Sequence, residues 1–436
     1  MQRAFRNAGL VAVCCMLMGG CAWFRPSPKT TGGAAAAPAK GTGPLVYQNA
    51  SQGLPKSVIW KAQLDFGDIN GDGFDDVGAV SRLHDGPYVW LSDGKGNWTN
   101  ASNGLPRETF CGGGVDFGDI NKDGKVDIAI ADHCKGAYAF FGDGAGNWKL
   151  GSSGLPTVGV EDVALGDVNN DSCLDVVLAT AQDEGLRVYV GDCKGNWKES
   201  SDGLPLNEWG NGVVMADVNV DGNMDVVAAY AAGPRVYLGN GKGAWRESSE
   251  GLPAPEIHGL YWGIAVADVN NDGKPDIASG SAIPGAEVFI QEEGGKFRNA
   301  SQGIVPMNAL GVTMGDVDKD GNADLVVSGK TNTQEIGGVY GVHVFRGDGK
   351  GNWTYVTDSG LPLDGRERDW GVALGDANGD GVLDIAVAFG DVLPQSYRSG
   401  KKPEGEKEKI SAEAAARGPE RGRFGSVDVW FGEIKK

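Results

Sequence analysis

Seven copies of one acidic frame constrain this chain more than any other feature. The first runs Asp68-Ile69-Asn70-Gly71-Asp72-Gly73-Phe74-Asp75-Asp76, and the frame returns from Asp119, Asp167, Asp217, Asp268, Asp316 and Asp376. Each copy has Asp at positions 1, 5 and 9, and Asn or Asp at position 3. Position 6 is Gly in every copy but the third, where Ser172 stands. Oxygens at positions 1, 3 and 5 converge on one point when the backbone curls tightly, and Gly at position 6 permits the positive φ that the curl needs. Hard oxygen donors on such a loop suit Ca²⁺. The flanking segments are strand-like and no Glu stands at position 12, so the frame is not an EF-hand. One copy alone reads equally well as a solvated Asp/Asn/Gly turn. Seven copies in register favour ion binding.

The ends of the chain bound the rest. Arg3 and Arg6 precede an apolar stretch, Ala8 to Met18, that is too short to span a bilayer as a helix. Residues 1–20 therefore read as a signal peptide. Leu17-Met18-Gly19-Gly20-Cys21 resembles a bacterial lipobox, which would make Cys21 the lipidated first residue of the mature chain. The alternative is ordinary secretion. Residues 21–44 then hold the lipidated Cys and a flexible tether, of which 25–43 show no apolar periodicity. Loss of Arg3 and Arg6 leaves 37 basic against 58 acidic residues, a net −21 in place of −19. That balance argues against a nucleic-acid partner.

The frames begin 48 to 60 residues apart, the spacing of one four-stranded unit. In the first unit, Ala62–Phe66 leads into the acidic loop, Val77–Val80 leads out, Tyr88–Leu91 follows, and a fourth strand starts at Trp98. Gly-Leu-Pro closes the unit and recurs at Gly53, Gly104, Gly154, Gly203, Gly251 and Gly360, with Gly303-Ile304-Val305-Pro306 as a variant. Segments leaving the loops, such as Asp175–Thr180 (DVVLAT), are nearly all apolar, as in sheets covered on both faces. The chain opens at Leu45 with a fourth-strand segment and finishes at Val427–Gly432 with a third-strand one. The first strand can therefore complete the last unit and close a ring without free edges.

With the loops and their 50-residue unit in view, residues 45–436 resemble the FG-GAP/VCBS repeat family, which includes the propeller heads of integrin α chains. The resemblance implies an all-β, seven-bladed β-propeller of four-stranded blades with up to seven Ca²⁺. It carries over as ligands Asp68, Asn70, Asp72 and Asp76; Asp119, Asn121, Asp123 and Asp127; Asp167, Asn169, Asp171 and Asp175; and Asp217, Asn219, Asp221 and Asp225. The later loops contribute Asp268, Asn270, Asp272 and Asp276; Asp316, Asp318, Asp320 and Asp324; and Asp376, Asn378, Asp380 and Asp384, each set joined by a carbonyl at position 7. The third loop departs at Ser172 and Cys173, and the sixth offers four carboxylates.

Trp98, Trp148, Trp197, Trp245, Phe297, Trp353 and Tyr47 recur once per unit, as packing residues do. Trp60, Trp209, Trp262 and Trp370 do not recur regularly and lie where the chain enters a unit, opposite the acidic loops. Arg107, Glu108, Phe110, Glu208, His258, Tyr261, Arg366, Arg368 and Asp369 lie around them. This set reads either as a recognition surface for a protein or sugar or as a plug of the ring. Of the four histidines, His84 and His133 lie in neighbouring units and His258 in a distant one, which disfavours a shared metal or base. Cys111 and Cys134 are expected to be cross-strand neighbours, and Cys173 and Cys193 to lie in two turns at one end of the third unit. Both pairs are expected to form disulfides. Residues 393–423 form a charged insertion that reads as a solvated loop, with a partner-binding flap as the other reading. The expectation is a bacterial envelope lipoprotein at the periplasmic or surface face of the outer membrane, anchored by lipid alone, that binds or adheres and catalyses nothing. The alternative is a polysaccharide binder with lyase or hydrolase activity.

Overall fold

A computed structural model describes residues 44–56, 59–60, 62–181, 184–253, 260–332, 338–363, 369–390 and 425–435. These form seven antiparallel sheets with no α-helix among them. Each sheet is one blade, in which the chain steps outward from an inner strand to an outer one. Blade 3 shows the pattern: Val160–Gly166, Asp175–Thr180, Leu186–Gly191 and Trp197–Glu199, paired in that order.

The core lies between blades. Seven apolar clusters fill the seven junctions, including the one between blades 7 and 1, where Phe66, Val77 and Trp90 meet Ala373, Ala386 and Val429. Second strands such as Asp127–Asp132 and Asp175–Thr180 are buried along their whole length because both faces meet a neighbouring blade. This explains their small, apolar composition.

Blade 7 consists of Asp369–Gly375, Asp384–Gly390, Gly425–Ile434 and, as its outer strand, Leu45–Asn49 from the amino-terminal end. The register runs from Leu45 opposite Ile434 to Asn49 opposite Trp430. The ring is thus closed as the complementary ends imply. Outer-strand Trp side chains tie blades 1, 2, 4 and 6 to the one before: the indole Nε1 donates to Ala50 O from Trp98, Ala101 O from Trp148, Ser200 O from Trp245 and Ala300 O from Trp353, at 2.6–3.0 Å. Gly53, at φ 97°, opens each such contact for blade 1, since a Cβ there would lie 2.2 Å from Trp98 O.

Blade 1 departs from the sequence reading. Its inner segment is broken into Ile59–Trp60, Ala62–Gln63 and Asp65–Gly67. The middle piece pairs in parallel with Gly113–Gly114 of blade 2. The second strand, Asp76–Asp85, is ten residues long, and its overhang pairs with Thr109–Cys111. A strand longer than its hairpin partner offers an open edge, and the next connector takes it. Blades 1 and 2 are therefore sewn together.

Two candidate functional faces

The acidic loops lie at one end of the ring, where inner strands hand over to second strands. All seven repeat the same hydrogen bonds. The position 1 carboxylate accepts the amides of positions 5 and 6 at 2.7–3.1 Å. The position 3 oxygen accepts the position 5 amide at 2.8–3.2 Å. Position 5 accepts the position 7 amide at 2.7–3.0 Å. Position 9 is held twice, by the position 2 amide and by the amide that ends the third strand, at 2.7–3.0 Å. The side chains of positions 1, 3, 5 and 9 are thereby fixed by backbone before any ion arrives.

The third loop keeps this geometry despite its departures. Ser172 adopts φ 68°, the conformation that Gly takes elsewhere, and its amide reaches Asp167 at 2.7 Å. Position 4 also takes the left-handed conformation in every loop, including Val220 at φ 58°. The sequence gives no hint of that, because residues as different as Gly71, Lys122 and Val220 occupy the position. A β-branched residue there stores on the order of 1–3 kcal/mol of strain.

The position 9 carboxyls test whether the loops suit a cation. Asp76, Asp127, Asp175, Asp225, Asp276, Asp324 and Asp384 are all 0% exposed. Burial pushes Asp76, Asp324 and Asp384 up to about 8 and the other four up to about 7. Neighbouring loop carboxylates, such as Asp68 and Asp72 around Asp76, raise them further. A buried carboxyl among like charges is relieved by a divalent cation, so the donor set fits Ca²⁺. In the sixth loop, carboxylate oxygens of Asp316, Asp318 and Asp324 lie within 4.8 Å of one another.

The opposite face carries the connectors between blades and the hairpins between second and third strands. The irregular tryptophans do not form one set there. Trp60 is a correction: it is 1% exposed, packed edge-on against Tyr88 and Trp90 at 5.7 and 5.5 Å. Pairing of Ile59–Trp60 with Ser81–Arg82 on the long second strand of blade 1 draws that residue into the core. Trp209 is 38% exposed, Trp262 is half-buried, and the side chain of Trp370 lies outside the described residues. Among the expected neighbours, Phe110 and Tyr261 are buried, Glu108 pairs with Lys135 at 2.9 Å, and Arg107 covers the Tyr88 ring. His258, Arg366, Arg368, residues 1–43 with Cys21, and 393–423 also lie outside the described residues.

A pair that sequence reasoning missed stands beside Trp209. His133 Nδ1 lies 2.6 Å from Glu161 Oε1, and the His133 ring lies 5.9 Å from the Trp209 ring. Glu161 is the extra residue of a β-bulge between Val160 and Asp162, and bulges re-aim side chains. Three inner-strand acids were also missed. Asp116 accepts Leu165 N of blade 3 at 2.6 Å, and Asp162 accepts Val213 N of blade 4 at 2.9 Å. Each satisfies an amide on the free edge of the next inner strand. Burial pushes both up to about 7, and it raises Asp65, which hydrogen-bonds Asp116, well above the carboxylate range. One signal was available: Asp162 stands where blades 4 to 7 have Gly212, Gly263, Gly311 and Gly371.

Both expected disulfides are present. Cys111–Cys134 and Cys173–Cys193 have Cα atoms 5.6 and 5.2 Å apart. Asp132 accepts the amides of both Cys111 and Cys134, which fixes the first bridge to its hairpin.

A family model described as FG-GAP-like repeat matches residues 68–130, 119–178, 167–228, 217–279 and 335–387. No curated protein matches the chain. Among solved structures, BBS1N in complex with ARL6DN, from crystals soaked with mercury, is 10% identical over 79% of this chain and 94% of that one, with a TM-score of 0.51. An Agrocybe aegerita lectin, described for its specific recognition of non-reducing terminal N-acetylglucosamine, is 17% identical over 73% of this chain and 81% of that one, with a TM-score of 0.41. At these identities the likeness concerns fold. The five repeat matches together span more than half of the sequence, and the chain belongs to the FG-GAP-like repeat family, as a seven-bladed propeller.

Proposed function

We propose that this protein is a calcium-stabilised binding module that docks a protein partner through its connector face and carries out no chemistry. The observation that carries this reading is where large apolar side chains remain exposed. Of the seven such residues described, Leu206, Trp209, Leu260, Ile283 and Leu363 lie in connectors or second-to-third-strand hairpins of one face. Val220 alone lies in an acidic loop, and Leu150 is on an outer strand. Exposed apolar side chains gathered on one surface, with an aromatic anchor, are what a protein interface requires. Backbone hydrogen bonds hold that surface in place: Leu260 N donates to Ala231 O, and Ala282 N to Leu260 O. The lipobox-like Leu17 to Cys21 supports an address at the bacterial envelope with a lipid anchor, and the tether would let the ring stand off the membrane.

A glycan ligand is the second reading, favoured by the half-exposed Trp209 ring beside the His133–Glu161 pair. The two readings separate in one experiment. The mature protein and its Trp209→Ala and Ile283→Ser variants are immobilised, and an envelope extract and a panel of neutral oligosaccharides are passed over each. A protein retained by the wild type and released by both variants supports the proposal. Retention that ignores both substitutions overturns it, and oligosaccharide binding lost only in Trp209→Ala supports the glycan reading.

A further inference from the structure

Loop six differs from the others at one ligand position, and a second difference in the same blade answers it. Position 3 is Asn in six loops and Asp318 in the sixth. On the third strand, the residue just before the amide that caps position 9 is Leu91, Phe141, Val190, Leu238, Ile290 or Phe431 elsewhere. In blade 6 it is Arg346. The two odd residues meet, with Arg346 Nε 2.9 Å from Asp318 Oδ2. Asp318 is 3% exposed.

The pairing changes what holds the loop. In loops one to four, the position 3 Asn amide donates to the position 5 carboxylate at 2.9–3.3 Å. Asp318 has no such donor, and a fourth carboxylate beside Asp316 and Asp324 adds repulsion instead. The guanidinium supplies the missing cation. It also brings the loop to the same formal charge as its neighbours, which have three carboxylates and an Asn. The repeat matches include the other six loops whole and leave 316–324 outside.

We infer that Arg346 is a built-in counter-cation that keeps loop six in shape without metal and makes it the least calcium-dependent of the seven. A divalent ion arriving at Asp316, Asp318 and Asp324 meets a positive charge already bound to one of its ligands, and like charges repel. Affinity in such sites follows the ligand charge, and Arg346 cancels what the fourth carboxylate would add while engaging one of the ligand oxygens, Asp318 Oδ2. The inference rests on the calcium reading of the loops and reverses the ranking that four carboxylates alone would give.

Hydrogen exchange of the full mature chain, read by mass spectrometry in about 1 mM CaCl₂ and in chelator, tests it. In the wild type, peptides over 217–225 and 268–276 should lose protection on chelation, while those over 316–324 change by less than about twofold. Arg346→Leu should make 316–324 respond to chelation and should tighten its calcium dependence by about tenfold in a titration. The wild-type comparison stands alone if the variant misfolds. Loop six losing protection as fully as loops four and five overturns the inference. No response in any loop removes the calcium reading, and the inference with it.

Discussion

The two ends of this ring obey different rules. On the loop face, seven sites share one set of hydrogen bonds to within a few tenths of an ångström, whatever stands at positions 2, 4 or 7. On the connector face, an inner-strand bulge recurs in blades 3 to 7 but its occupant differs: Glu161 in blade 3 meets His133, Asn211 in blade 4 bonds Tyr261 O, and Trp209 stands half-exposed nearby. Repetition belongs to what every blade needs for stability. Variation marks where a particular partner can be told from others. A propeller makes the split natural, because its sheets leave both ends free of backbone edges while the cores between them stay alike.

Ring closure serves both faces, so breaking it should have the largest effect. Deleting Leu45–Asn49 removes the outer strand of blade 7, exposes Gly425–Ile434 as an edge and strips buried Leu45 and Tyr47. Aggregation or loss of cooperative melting is expected, measured by light scattering and calorimetry. Deleting Lys29–Lys40 should do neither. Equal behaviour would place the closure elsewhere.

Metal comes next and should act on one face only. At a free concentration tenfold above Kd, each saturated loop contributes about 1.4 kcal/mol. The connector face should keep its affinity for a partner at temperatures where the chelated protein is still folded. Reducing the Cys111–Cys134 bridge should cost about 3 kcal/mol, seen as a lower denaturant midpoint in the Cys111→Ser/Cys134→Ser variant. An unchanged midpoint would deny that bridge a stabilising role.

A pH series sharpens the picture between the faces, at the inner strands. Asp162 is raised by burial to about 7, so the folded state holds its proton more tightly than the unfolded chain. Its contribution is complete below the ordinary carboxylate range and is lost as pH rises towards 7. Asp162→Asn cannot titrate and can still accept Val213 N. Relative to wild type, it should gain on the order of 2 kcal/mol between pH 5 and 8, measured in saturating calcium. A constant difference across that range would refute the shift.

The smallest effect on stability should come from Trp209→Ala, which removes a half-exposed ring. Its melting temperature should barely move while partner affinity falls at least about tenfold. Trp60→Ala should do the reverse, since that ring is enclosed by Tyr88 and Trp90. The contrast between two tryptophans at the same sequence offset measures the difference between core and surface directly.

Repetition also decided what the sequence could reveal. The blade count, the closing strand and both disulfides were readable because each departure could be compared with six aligned copies. Trp60 was misplaced because the comparison put it beside Trp209, while the overlong Asp76–Asp85 strand that buries it has no counterpart in blade 4, whose second strand is Asp225–Tyr230. His133 and Glu161 lie in adjacent blades, 28 positions apart in the chain, and meet only through the bulge. Arg346 was hidden for the same reason: its partner Asp318 is local to a loop, but the strand that brings it back is not. Contacts that depend on one blade alone leave no period to detect.

We propose the loop face as a calcium-dependent frame for the rest of the ring. Calorimetric melting of the mature protein in calcium and in chelator, at fixed pH 7.5 or thereabouts, tests it most directly. The melting temperature should fall by several degrees in chelator and return when calcium is restored in excess. The same melting temperature in both, with no calcium retained by the purified protein, would contradict it.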